Sequence, residues 1–162
     1  MSGLPKTADV VILGGGIMGA STAYHLACRG QTNILLLERE AFFGTGAPGR
    51  CAGGIRHHFN TEVNIRLSQK SLSMIDLFEE ETGQSALVRK CGYLFALTDE
   101  KDVSVFQKTL KLQHSLGVKT EWLSADEVRR LAAPCFFPDA LAGTFNAEDG
   151  LADPNSIVMG YI

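Results

Sequence analysis

The chain has 162 residues, 45% of them hydrophobic and 20% charged, with a formal net charge of −3, a balance that suits a globular domain and offers no basic footprint for nucleic acid or an anionic membrane. Its four cysteines, Cys28, Cys51, Cys91 and Cys135, form no C-x-x-C pair, so neither a zinc site nor a dithiol motif is expected and a reducing compartment is. No run approaches the roughly 18 apolar residues of a membrane helix, and the first eight residues hold one lysine and no long apolar segment, so the expectation is a cytoplasmic protein with no membrane span, signal peptide or bound metal.

The first element is the apolar run Asp9-Val-Val-Ile-Leu-Gly14, which reads as a strand leading into Gly14-Gly15-Gly16-Ile17-Met18-Gly19. The glycines at 14, 16 and 19 fit G-x-G-x-x-G, and each has a mechanical reason. Gly14 allows a tight turn off the strand, Gly16 lets the backbone approach a pyrophosphate, and Gly19 lets the following helix pack close to the sheet. The helix from Ile17 carries Ala20, Ala23 and Ala27 at helical spacing, and Gly30 stops it. Its N-terminus presents free N–H groups and a positive dipole end to phosphates. His25 and Cys28 on this helix are expected to be packing or surface residues. A second strand, Asn33-Ile-Leu-Leu-Leu-Glu38, ends in an acid 19 residues after Gly19, followed by Arg39. Glu38 can accept hydrogen bonds from ribose hydroxyls and repels a 2′-phosphate. Gly14, Gly15, Gly16, Ile17, Met18, Gly19, Glu38 and Arg39 are therefore candidate contacts to an adenine dinucleotide.

Next comes a glycine- and arginine-rich loop, Gly44-Thr-Gly46-Ala-Pro-Gly49-Arg50-Cys51-Ala52-Gly53-Gly54-Ile55-Arg56. Such a loop has many free N–H groups and fixed positive charge, and it follows the carboxyl end of a strand, where α/β sheets bind ligands. Gly49, Arg50, Cys51, Ala52, Gly53 and Gly54 are candidates to wrap a phosphate or the edge of a redox ring. The adjacent His57 and His58 do not read as a metal site, because neighbouring residues seldom converge on one ion and no Cys/His/Asp cluster lies nearby.

Beyond the loop, Val63, Leu67, Leu72, Ile75 and Phe78 predict a helix over 61–81, with Met74 filling a core gap, Glu79-Glu-Glu81 solvated, and Thr82-Gly83 as the stop. Residues 86–97, with Tyr93 and Phe95, read as a strand, and a helix follows to about His114. Val118–Leu123 is a short strand with Trp122 as a packing anchor, and Ser124-Ala-Asp-Glu127 is a capping box opening a helix that ends before Pro134. Leu141–Phe145 is a further strand, and Asp153 with Pro154 should start another helix. The fold class is α/β: a Rossmann-like FAD/NAD(P)-binding βαβ unit with the start of a β-rich (α+β) substrate domain. The expected organisation is 1–83 for the dinucleotide, 84–150 for part of the substrate domain, and 151–162 for a helix returning to the first.

The run Asp9–Glu38, the loop Gly44–Arg56, Cys91-Gly-Tyr-Leu-Phe95 and Asp149-Gly-Leu-Ala-Asp-Pro154 together resemble the D-amino-acid-oxidase-like flavoenzymes. The similarity is greatest to the branch holding the sarcosine oxidase β-subunit, glycine oxidase and dimethylglycine dehydrogenase, and it covers nearly the whole chain. The glycine triplet is shared by many flavoproteins, whereas the Gly-Arg-x-x-Gly-Gly-x-Arg loop is more specific. The resemblance implies FAD rather than NAD. It also implies oxidation of the C–N bond of a small amino acid or N-methylated amine, of the sarcosine, glycine or dimethylglycine kind, by hydride transfer to flavin N5. It places Arg56 beside the isoalloxazine as the candidate catalytic residue. Some relatives attach flavin through a histidine in this region, where Arg50-Cys51-Ala52 stands here, so FAD is expected to be held non-covalently. Because family members are much longer, the chain is expected to be truncated, with electron-acceptor or partner subunits possible for the whole enzyme. The alternatives are an NAD-linked dehydrogenase, since Glu38 would recognise ribose in either cofactor, and a non-catalytic dinucleotide-binding subunit or fragment.

Overall fold

The computed structural model describes residues 5–162. In chain order the elements begin with β1 (Val10–Leu13), α1 (Ile17–Cys28), β2 (Ile34–Leu37) and a 3₁₀ turn at Pro48–Arg50. There follow β3 (Gly54–Ile55), α2 (Glu62–Asp76), α3 (Phe78–Thr82), β4 (Tyr93–Leu97) and α4 (Glu100–Ser115). The chain ends with β5 (Glu121–Ser124), α5 (Ala125–Leu131), β6 (Ala142–Asn146), β7 (Gly150–Leu151) and α6 (Pro154–Gly160). They fall into two compact units, one running to Gly53 and adding Leu77–Leu87 and Ala152–Ile162, the other holding Gly54–Asp76 and Val88–Leu151.

In the first unit β1 and β2 pair in parallel, Val10 opposite Ile34 through Leu13 opposite Leu37, with α1 as the crossover. Two four-residue strands of Val, Ile and Leu are the composition of a parallel sheet. Ala20, fully buried on α1, lets the helix lie close to the strands. Phe78 from α3 and Val158 from α6 are buried, and Tyr161 packs edge-on against Phe78 at 5.0 Å between ring centroids. Helix α6 starts as its sequence predicts: the Asp153 carboxylate accepts the Ser156 amide at 2.6 Å, and Pro154 takes the first turn, where its missing N–H costs nothing.

The second unit is built on an antiparallel sheet in the order β4-β6-β5. Leu123, Val128 and Ala140 form a buried cluster beside it, joined by Leu94, Ala96, Phe137 and Phe145. The Ser124 capping box opens α5 with both reciprocal bonds present. A small antiparallel pairing, Gly54 with Leu151 and Ile55 with Gly150, ties β3 to β7, and nothing in the local sequence announces it.

Two expectations change. The helix over 61–81 is two helices broken at Leu77 (φ −97°, ψ 0°), where the chain leaves the second unit for the first and Phe78 turns into the first unit's core. Of its apolar residues, Ile65 and Leu72 are buried, while Val63 and Leu67 are 62% and 60% exposed, because α2 carries more apolar positions than its buried stripe can hold. The strand over 86–97 is confined to Tyr93–Leu97, since Leu87 sits at φ 50°, a left-handed conformation that interrupts an extended run. The compact division groups residues 54–76 with the sheet of the second unit.

Candidate functional site

At the carboxyl ends of β1 and β2 the first unit opens a cleft of about 1110 Å³, just above the roughly 300–1,000 Å³ usual for ligand sites. Gly14, Gly16, Ile17, Met18, Gly19, Glu38, Arg39 and Arg50 form its walls together with Leu13, Leu37, Glu40 and Thr45–Pro48. Gly14 has φ +105°, a conformation that L side chains rarely adopt. A Cβ on Gly19 would fall on the Gly14 carbonyl oxygen, so the turn and the helix can approach this closely only with glycine there. A Cβ on Gly16 would meet nothing nearer than Pro48 at 3.9 Å, leaving that wall open to a ligand.

Helix α1 begins with no side-chain cap and no acid in its first turn. The Ile17, Met18 and Gly19 amides have no acceptor among the described residues. Three free N–H groups and the positive end of a twelve-residue helix therefore face the cleft. Opposite them, the Glu38 carboxylate accepts the Gly15 amide at 2.7 Å and the Glu40 amide at 3.0 Å. The Glu40 amide, then that of Gly15, hold this carboxyl below the usual glutamate range. Each carboxylate oxygen can accept a second hydrogen bond, so Glu38 keeps capacity for hydroxyl donors. An anionic diphosphate at the amides and a diol at the carboxylate fit this set of donors and acceptors, the requirement of an adenine dinucleotide.

In the second unit Arg56 lies in an aromatic cage. Its guanidinium carbon is 5.2 Å from the centroid of Phe59, 5.3 Å from Tyr93 and 5.7 Å from Phe95. Its Nε is buried without a hydrogen-bond partner, and no carboxylate pairs with the side chain among the described residues. Together with Gly54, Phe59 and Ser68 it lines a cavity of about 370 Å³. The next two residues converge on one buried carboxylate, that of Asp149. Its Oδ1 accepts the His57 amide at 2.8 Å and contacts His57 Nδ1 at 2.6 Å, while Oδ2 contacts His58 Nδ1 at 2.9 Å. Burial alone would raise the Asp149 pKa, but the bonds from the His57 ring, the His58 ring and the His57 amide outweigh it and hold the carboxyl below the usual aspartate range.

The predicted residues are thus divided. Gly14, Gly16–Gly19, Glu38, Arg39 and Arg50 meet at one cleft, and Gly15 joins it through its amide, with Phe43 packed where a Gly15 Cβ would stand. Gly49, Cys51, Ala52 and Gly53 are not among its walls. Gly49 donates to the Gly44 carbonyl at 2.8 Å, Cys51 is exposed, and a Cβ on Gly53 would fall on the Ala152 carbonyl oxygen, a packing role that the loop's composition does not reveal. Gly54 and Arg56 belong to the second unit. The Asp149 cluster was missed, because its partners are 92 and 91 residues apart. Its one sequence signal is the Asp149-Gly-Leu-Ala-Asp-Pro154 motif. No helix is long and apolar enough to cross a membrane among the described residues.

Comparison with known proteins decides the family. The family described as "DAO: FAD dependent oxidoreductase" matches residues 9–162. This chain belongs to the FAD-dependent oxidoreductase family. It is 33% identical over 153 residues to the mitochondrial sarcosine dehydrogenase of Homo sapiens, covering 93% of this chain and 16% of that protein. It is 28% identical over 151 residues to the formaldehyde-forming 4-methylaminobutanoate oxidase of Paenarthrobacter nicotinovorans, covering 93% and 18%. Among solved structures, the L-proline dehydrogenase from P. horikoshii superposes with a TM-score of 0.86 at 33% identity, over 98% of this chain and 41% of that one. The chain therefore spans less than a fifth of the length of these two curated relatives.

Proposed function

We propose that this chain supplies the dinucleotide-binding part of an enzyme that uses FAD to oxidise the C–N bond of a small amino acid or N-methylated amine. The observation that carries the reading is the cleft in which three unpaired helix amides and the Glu38 carboxylate face one space. The Ile17, Met18 and Gly19 amides bind the diphosphate, Gly16 permits its close approach, and Glu38 accepts from a ribose hydroxyl while repelling a 2′-phosphate. When bound, FAD supplies the acceptor for the two electrons of the oxidation. Arg56, permanently charged and without a carboxylate partner among the described residues, stabilises negative charge at the redox site or holds an anionic group there. The relatives' names support the substrate class: sarcosine, 4-methylaminobutanoate and proline each join a secondary amine to a carboxylate.

The test uses the complete protein. It should purify with flavin absorbance, lose that absorbance when mixed anaerobically with sarcosine, N,N-dimethylglycine, glycine or proline, and turn over with an artificial electron acceptor. A colourless protein that binds NADH tightly, or a flavoprotein that none of these compounds reduces, would sink the proposal.

A further inference from the structure

Asp149 is fully buried, yet no lysine or arginine pairs with it among the described residues. Its compensation comes from three N–H groups of two consecutive residues, the amide and ring of His57 and the ring of His58. A buried charge left without partners is expensive, so the arrangement constrains all three groups. An ionised carboxylate only accepts hydrogen bonds. The nitrogens 2.6 Å and 2.9 Å from its oxygens must therefore both carry protons, and in a neutral ring that leaves the lone pair on Nε2. For His58 that Nε2 is buried without a partner among the described residues, with the Phe95 ring centroid 5.0 Å away, edge to face. The His57 amide belongs to the peptide bond that leaves Arg56. The other end of that peptide, the Arg56 carbonyl, accepts the Ser68 hydroxyl. The backbone that projects Arg56 into its aromatic cage is thus held on both sides.

We propose that Asp149 is a positioning residue: it fixes the ring protons of His57 and His58 on Nδ1 and, through the His57 amide, anchors the peptide from which Arg56 projects. Its functional half rests on the reading of Arg56 as a residue of the redox site. The tautomer half does not.

Asp149→Asn separates the two. The His57 amide can only donate, so the Asn oxygen must take the Oδ1 position and the Asn NH₂ must face His58 Nδ1. His58 is then forced to accept there and to carry its proton on Nε2. In the flavin-loaded full-length protein, imidazole ¹⁵N spectra should show both rings protonated on Nδ1 in the wild type, and His58 alone switched to Nε2 in Asp149→Asn. Flavin reduction by substrate should slow by up to about a hundredfold, as misplacement of a positioned group does, with FAD affinity kept. Wild-type rings protonated on Nε2 would overturn the tautomer assignment without any variant, as would an unswitched His58 in Asp149→Asn. Unchanged reduction in Asp149→Asn, beside a slowed Arg56→Lys, would overturn the anchoring role. Unchanged reduction in both would instead remove Arg56 from the redox site, leaving the tautomers to the spectra.

Discussion

Both oxygens of Glu38 accept backbone amides while the same residue lines the cleft, so one side chain shapes the loop and presents an acceptor to the cleft. Glu38→Gln keeps the shape but sets an NH₂ against the N–H of Gly15 or Glu40. Two donors then oppose each other, and FAD binding should weaken about tenfold, the cost of one unsatisfied donor, as read by calorimetric titration. Acid should act the same way. The Glu38 carboxyl is held low in the fold, so its contribution is present above the ordinary glutamate pKa of about 4.3 and is lost as pH falls through its lower folded value. Flavin release followed by fluorescence should rise on that acid limb, and Glu38→Gln should flatten it; identical limbs would detach Glu38 from the site. Arg56 makes the complementary case. Arg56→Lys keeps the charge but loses the planar group stacked among Phe59, Tyr93 and Phe95. Rapid mixing should show flavin reduction slowed by roughly 10- to 100-fold with FAD still bound, and a wild-type rate would remove Arg56 from the chemistry.

The β1-turn-α1 element is the part of the molecule most open to mutational test, because opposing effects meet at Gly19. Alanine there gains up to about 1 kcal/mol of helix propensity. Its Cβ, however, would fall on the Gly14 carbonyl oxygen and 3.4 Å from Ile12 Cγ2, and overpacking of this kind costs about 1–3 kcal/mol. Collision should win: Gly19→Ala should unfold at lower denaturant concentration and lose FAD, whereas a neutral or stabilised variant would mean that the turn can move. This element, like the starts of α5 and α6, was legible in the sequence because the signals are local. The glycine spacing, the alanine face of α1, the Ser124 capping box and the Asp153-Pro154 start each lie within one turn or one strand. What remained hidden depends on contacts between distant residues. Phe43 packs over Gly15, Phe59 meets Tyr93 and Phe95 around Arg56, and His57 and His58 meet Asp149. No period marks such pairs, and the Asp149–Pro154 motif does not say which residues meet it, since tertiary packing alone creates the contacts. Leu87 illustrates the limit from the other side, because its left-handed backbone ends a run whose composition still reads as strand.

Across the whole molecule the two units differ in what they leave open. The second closes a core around Leu123, Val128 and Ala140, whereas in the first a two-stranded parallel sheet leaves Val11 51% and Leu13 80% exposed. Parallel sheets are stable with both faces covered, so the first unit should be the more labile and the more responsive to ligand. FAD that binds only the folded chain adds about 2.7 kcal/mol at a hundredfold excess over its Kd, and hydrogen exchange shows where that stabilisation falls. The Ile17, Met18 and Gly19 amides have no acceptor among the described residues and should exchange rapidly without flavin. A diphosphate would be their first acceptor. Adding FAD should therefore slow exchange most at residues 14–20 and 38–50, where the amides of the turn, Glu40 and the cleft wall lie. The amides of β5 and α5, in a strand paired with β6 and a capped helix, should change least. Protection concentrated in residues 121–131, or spread evenly over the chain, would show that the dinucleotide does not sit at the amino end of α1.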